Sequence, residues 1–162
     1  MKKNTKLLDQ MVKSLRKMNG LKLKWGFFDE EYDDPRGVEK VSEVAQLVEE
    51  GHNNGGLFAG TYTPPRPFFK TSVESAENHR EIRAAIKKYQ KWVLQGKIDP
   101  VDKFDMVGNI LVRQLRESII NFGGTIREST KDMRDYRGVS GDDPLIESGT
   151  LLDSVEFQVE EA

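Results

Sequence analysis

From Thr63 to Lys70 the chain reads Thr-Pro-Pro-Arg-Pro-Phe-Phe-Lys, the stretch that most restricts what it can fold into. Pro64, Pro65 and Pro67 each hold φ near −65° and lack a backbone donor, so neither a helix nor a central strand can run through them. The segment is an elbow between a glycine-rich stretch and a long helical region. Phe68 and Phe69 leave it with two rings to bury, each worth about 1.5–3 kcal/mol. They read as core at the start of the next helix; the alternative is docking onto a neighbouring subunit. Arg66 is too polar for that core. It reads as the partner of Glu49 or Glu50, fastening the elbow to the preceding helix, with a contact to a partner or to DNA as the alternative.

Periodicity organises the rest. Leu7, Leu8, Met11, Val12, Leu15 and Met18 recur at helical spacing over 4–18, with Asn4 as N-cap and Asn19-Gly20 as the stop. The period then switches to two: Leu21, Leu23, Trp25 and Phe27 alternate with Lys22, Lys24 and Gly26, a half-buried strand. Asp29 to Gly37 reads as a loop or hairpin connection. Val38, Val41, Val44, Ala45 and Val48 predict a helix over 38–50 closed by Gly51, and His52 to Gly56 a flexible turn.

Beyond the elbow, a helical stretch from Thr71 to Gln95, broken near Asn78, carries Ile82, Ala85, Ile86, Tyr89 and Val93 on one face. Gly96 ends it. Asp99 then caps a helix over 100–121 with Pro100 at its first position, and Phe104, Val107, Leu111, Leu115 and Ile119 form its stripe. A short turn between two such helices makes a helical hairpin. Residues 123–142 have few apolar anchors and read as a flexible loop, ordered only by a partner. Ser148 or Thr150 caps a helical turn at 150–154. Val155, Phe157 and Val159 form a last strand pairing with 21–28. The expected architecture is one α+β domain over 1–162: a small antiparallel β-sheet packed against helices, including a long helical hairpin and the loop.

Composition bounds the function. A chain of 162 residues can bury about 70% of its unfolded surface. There is no cysteine, hence no disulfide or thiolate chemistry. No apolar run approaches a membrane span, and no hydrophobic signal region follows Met1-Lys2-Lys3, so the chain reads as a soluble intracellular product. Its net charge of −2 is unevenly spread. Residues 1–24 carry Lys2, Lys3, Lys6, Lys13, Arg16, Lys17, Lys22 and Lys24 against Asp9 alone, whereas Asp142, Asp143, Glu147, Asp153, Glu156, Glu160 and Glu161 make the C-terminal end acidic. These are solvated faces, or complementary poles that bring like subunits together head to tail.

Catalytic parts are missing. His52 and His79 have no recognisable partners, and Glu147-Ser148-Gly149 lacks the strand–helix context of a nucleophile elbow. The acidic segment from Asp29 to Gly37 lacks EF-hand spacing, and the pairs Asp33/Asp34 and Asp142/Asp143 are exposed neighbours with nothing to set them apart as an acid and a base. The glycines at 55–56 lack the lysine and hydroxyl residue of a phosphate loop. The residues point to no enzyme, no metal and no cofactor.

Three segments in order resemble a known group. Val44-Ala45-Gln46-Leu47-Val48-Glu49-Glu50-Gly51, followed by Pro64-Pro65-Arg66-Pro67-Phe68-Phe69, resembles the A-x-x-x-E-x-G … P-x-R-P-F signature of tail-completion or neck (head–tail connector) proteins of long-tailed bacteriophages, including the Mu-type virion morphogenesis group. Pro144 to Val155 resembles that group's P-L-x-D-T-G-x-L-x-x-S-I segment, with Glu147 and Ser148 where Asp and Thr are usual. The resemblance spans roughly 38–160. It implies a structural virion protein, assembled in the host cytoplasm, that forms a ring of itself, often six-fold. The ring joins the head-side connector or adaptor to the tail terminator or the tail tube and sheath, and DNA passes through its channel without sequence-specific contact. In this reading Pro64, Pro65, Arg66, Pro67, Phe68 and Phe69 form the structural elbow. Lys13, Arg16 and Lys17 against Glu156 and Glu160 are the candidate subunit interface. Arg127, Lys131, Arg134, Tyr136 and Arg137 are the candidate partner-binding loop. Tail terminator and head-side adaptor are alternatives within the class; a nucleic-acid-binding module using the basic N-terminal helix is the alternative outside it.

Overall fold

The computed structural model describes residues 2–28, 31–34, 37–53, 60, 62–97, 99–100, 104–123, 131–132, 135–136, 145 and 149–161. In chain order the elements are α1 (Lys2–Asn19), β1 (Leu21–Gly26), β2 (Glu31–Asp34), β3 (Gly37–Lys40), α2 (Val41–Glu50), β4 (His52–Asn53), β5 (Tyr62–Thr63), α3 (Phe68–Glu74), α4 (Ala76–Leu94), α5 (Asp105–Ile120), α6 (Thr150–Asp153) and β6 (Glu156–Glu161). The fold is α+β, but among the described residues the strands form three two-stranded sheets, β1–β6, β2–β3 and β4–β5, rather than one. The chain falls into two compact units, each discontinuous in sequence. Among the described residues no helix is long and apolar enough to cross a membrane.

The first unit comprises Met1–Trp25, Ser75–Arg113 and Phe157–Ala162. Helix α1 runs from Lys2, so Asn4 lies inside it and is not its N-cap. It ends as expected, with the Gly20 N–H on the Lys17 carbonyl at 3.2 Å. Arg16 and Lys17 complement the helix dipole in the last turn. α1 packs on α4. The break before α4 falls at Ser75 rather than near Asn78, because the Ser75 hydroxyl accepts from the Asn78 N–H at 3.3 Å and starts a new helix. Ala85, Tyr89 and Val93 are buried, as the apolar stripe predicts. At the other end Gly96, with φ of 64°, turns the chain. Its N–H bonds to the Val93 carbonyl and that of Lys97 to the Trp92 carbonyl, the paired bonds of a Schellman stop.

The expectation for Asp99 and Pro100 fails. Helix α5 begins at Asp105, and the Asp99 carboxylate accepts from Lys17 Nζ at 2.9 Å instead of capping it. The Tyr89 hydroxyl donates to the Pro100 carbonyl at 2.7 Å, committing that carbonyl to a tertiary bond. The Tyr89 ring lies 5.3 Å from that of Phe104, and Glu81 pairs with Arg113. Moving up α4 from residue 81 to 89 therefore means moving back from Arg113 in α5 to Phe104, just before its first residue. That is the expected antiparallel hairpin. The last strand also behaves as its alternation predicts: β6 pairs with β1, and Lys24 Nζ meets Glu160 Oε1 at 2.7 Å. Phe157 lies so close to Gly108 of α5 that a Cβ there would overlap its ring.

The second unit comprises Gly26–Glu74 and Gln114–Glu156. β2 and β3 form an antiparallel hairpin with Asp33 opposite Val38 and Asp34 opposite Gly37. Val38 thus belongs to a strand and α2 starts at Val41, a correction to the 38–50 helix. The spacing at 38 suits either period, and pairing with β2 decides it. His52 and Asn53 are likewise a strand, not a flexible turn: they pair with Thr63 and Tyr62, because Gly51 turns α2 back toward the elbow. α2 packs against β3, α3 and α6. Val41, Ala45, Phe68, Leu115, Ile119, Leu145, Leu151 and Val155 are buried here. The 150–154 helical turn is present, but its N-cap is Gly149 at φ 81° with no side-chain cap bond, in place of Ser148 or Thr150. Most of the loop expected at 123–142 lies outside the described residues.

Candidate functional site

The motif residues converge in the second unit, around the elbow. Three prolines lead into α3, and Pro67, which precedes it, has neither an N–H nor a side-chain acceptor, so the N–H groups of Phe68, Phe69 and Lys70 start without partners inside the helix. Each finds one nonetheless. The Phe68 N–H bonds to the Arg66 carbonyl at 2.8 Å, and the first bond within the helix runs from the Thr71 N–H to the Pro67 carbonyl at 3.0 Å. Those of Phe69 and Lys70 both donate to the Glu49 carboxylate of α2, each at 2.9 Å. Glu49 is therefore a cap supplied from another helix, with a negative charge at the positive end of α3. The Arg66 N–H bonds to the Val48 carbonyl at 2.9 Å. The elbow is locked to α2 through backbone donors and the carboxylate of Glu49.

Gly51 explains the third position of the first motif. Its φ is 73° and ψ 158°, and a Cβ there would stand 2.7 Å from Pro65 N and 2.8 Å from the Thr63 carbonyl oxygen. Only glycine lets α2 turn so close under the prolines. Ala45, the first position, is buried. Phe68 is fully buried with Phe27 edge-on at 6.1 Å, whereas Phe69 is half-buried and reaches Gly26. Phe68 is therefore core as expected, whereas half-buried Phe69 meets that expectation only in part.

The C-terminal half of α5 joins this elbow to the third motif. Ser118 Oγ donates to the Phe68 carbonyl at 2.6 Å. Arg116 Nη2 donates to the carbonyls of Asp153 and Val155 at 3.2 and 3.1 Å. Ser154 is buried, its hydroxyl bonded to the Thr150 carbonyl at 2.7 Å, and Leu145, Leu151 and Val155 fill the core. Ser118 and Arg116 carry no motif signal. Their role depends on contacts to residues 37 to 50 positions away, which local patterns do not encode.

The candidate interface residues lie on the first unit and on β6. Lys13, Arg16 and Glu156 are exposed, Lys17 pairs with Asp99, and Glu160 pairs with Lys24. Of the loop residues, Arg127, Arg134 and Arg137 lie outside the described set, Lys131 is half-buried and Tyr136 is 89% exposed. His52 has its Nδ1 3.2 Å from the Leu47 carbonyl, and His79 is exposed on α4. Among the described residues no three His, Asp or Glu side chains are grouped to hold a metal ion. Tyr89 is a titratable group whose environment moves it: burial, and then the negative charge of Asp99, raises its hydroxyl above the ordinary 10.0. Comparison with family models, with curated proteins and with solved structures finds no match.

Proposed function

We propose that this chain is a structural virion protein of a tailed bacteriophage that forms a ring at the head–tail junction and joins the head connector to the tail around the DNA channel. One observation carries the reading. The segments whose order and spacing resemble the neck and tail-completion group are far apart in sequence, yet they meet in one unit. There their characteristic residues meet stereochemical demands: Gly51 under the elbow, Glu49 on α3, Phe68 in the core, Ser154 on the Thr150 carbonyl, and Val155 held by Arg116 of α5. Such residues define a scaffold that presents surfaces to partners. The charge divided between a basic α1 and an acidic C-terminal end suits a heterologous contact, in which one surface meets a different surface of the next copy and rotation closes a ring.

The test is genetic. Disrupting the coding sequence in the phage that carries it should leave filled heads and finished tails unjoined in electron micrographs of lysates. Supplying the chain in trans should restore whole particles. Intact infectious particles lacking the chain would refute the reading.

A further inference from the structure

Within the proposed ring, on which this inference rests, the structure assigns the contact between copies: the free edge of β6 in one copy pairs with the free edge of β1 in the next, continuing the two-stranded sheet from subunit to subunit.

Among the described residues the β1–β6 sheet holds two strands, so each strand has an outer edge with no strand beside it. An open edge is a template for another strand. The two strands also carry opposite charge. On β1 the exposed positions are Lys22 and Lys24; on β6 they include Glu156 and Glu160, separated by Gln158. The Lys24–Glu160 pair at 2.7 Å sets the lysine row beside the glutamate row on a common face. It is a pattern for the pairing expected across the edge.

Charge then selects among three ways of joining two such sheets. Pairing β6 with β6 sets glutamates against glutamates, and β1 with β1 sets lysines against lysines; like charges directly opposite destabilise a strand pair. Only β6 with β1 repeats the complementary contact. The first two are two-fold and stop at a dimer. The third is head-to-tail, and the growing row of copies keeps one free edge of each kind, at its two ends, until a ring closes. The strand charges thus select the symmetry that a ring requires.

The test exchanges the two rows. In the variant K22E/K24E/E156K/E160K the rows remain complementary within a copy and between like copies, while contact between variant and wild type becomes Glu on Glu or Lys on Lys. Wild type and isotope-labelled variant, mixed as dissociated chains and allowed to assemble, are read by native mass spectrometry. Each should form oligomers of its own kind, with mixed species at least about tenfold below the statistical proportion, the effect of a few unfavourable cross-strand pairs. Oligomers that mix statistically overturn the edge contact and leave the ring reading standing; chains that stay monomeric overturn both. Hydrogen exchange on the wild type needs no variant. Amides of 21–25 and 157–161 should be protected at least about tenfold more in the oligomer than in the monomer, and equal protection overturns the contact.

Discussion

Replacing Gly51 by alanine tests the account of the elbow, because both costs can be worked from the geometry. At φ 73° and ψ 158° the backbone lies in a region that essentially only glycine occupies, at a cost of about 1–3 kcal/mol for another residue. The added methyl would also stand 2.7 Å from Pro65 N and 2.8 Å from the Thr63 carbonyl oxygen. Both are backbone atoms of a proline-stiffened segment, so the elbow itself must move; overpacking of this kind costs about 1–3 kcal/mol. The sum is about 2–6 kcal/mol, a large share of the 5–15 kcal/mol that holds a typical domain together. For a chain of this size it lowers Tm by roughly 4–24 °C. Gly96→Ala is the control. Its φ is 64°, but nothing lies within 4 Å of the added carbon, so it carries the conformational cost of about 1–2 kcal/mol alone. Urea and thermal unfolding of the two variants separate strain from crowding. Should Gly51→Ala cost no more than Gly96→Ala, the close approach of α2 to the elbow is wrong.

Other outcomes follow from single contacts. Glu49→Ala, which removes both acceptors at the start of α3, should cost about 2–3 kcal/mol in chemical denaturation, and Glu49→Gln about 1 kcal/mol. Gly108→Ala should destabilise by about 1–3 kcal/mol, and by less in a Phe157→Leu background, a coupling that a double-mutant cycle measures. Tyr89 should ionise above 10.0 in an absorbance titration, and Asp99→Asn should bring its midpoint down by removing the smaller of the two causes. Because the fold favours the neutral phenol, the contribution of Tyr89 is full below the unfolded value and is lost as pH rises through the higher folded value. Tyr89→Phe should therefore flatten the alkaline loss of stability.

Sequence reasoning succeeded where one period applied without competition. The alternation of Leu21, Leu23 and Trp25, and of Phe157 and Val159, identified β1 and β6 and their pairing. The stripe of Ala85, Tyr89 and Val93 identified α4. It failed where a residue suited two structures. Val38 fits the helical series of Val41 and Ala45, yet pairs opposite Asp33. Asp99-Pro100 has the form of a helix start, yet tertiary bonds from Tyr89 and Lys17 claim both residues. The elbow was legible as a stop with two rings to bury, because proline stereochemistry is local. That Glu49 caps α3 was not, since the acceptor lies 20 residues upstream of the Phe69 N–H it satisfies.

The most direct test of the proposed neck role is a localised reconstruction by cryo-electron microscopy of the neck in tailed particles produced from a genome that carries this coding sequence. The account predicts a closed ring of copies between head connector and tail, with β6 of each copy running beside β1 of the next around the channel. Particles complete at the neck with no density for this chain would contradict it.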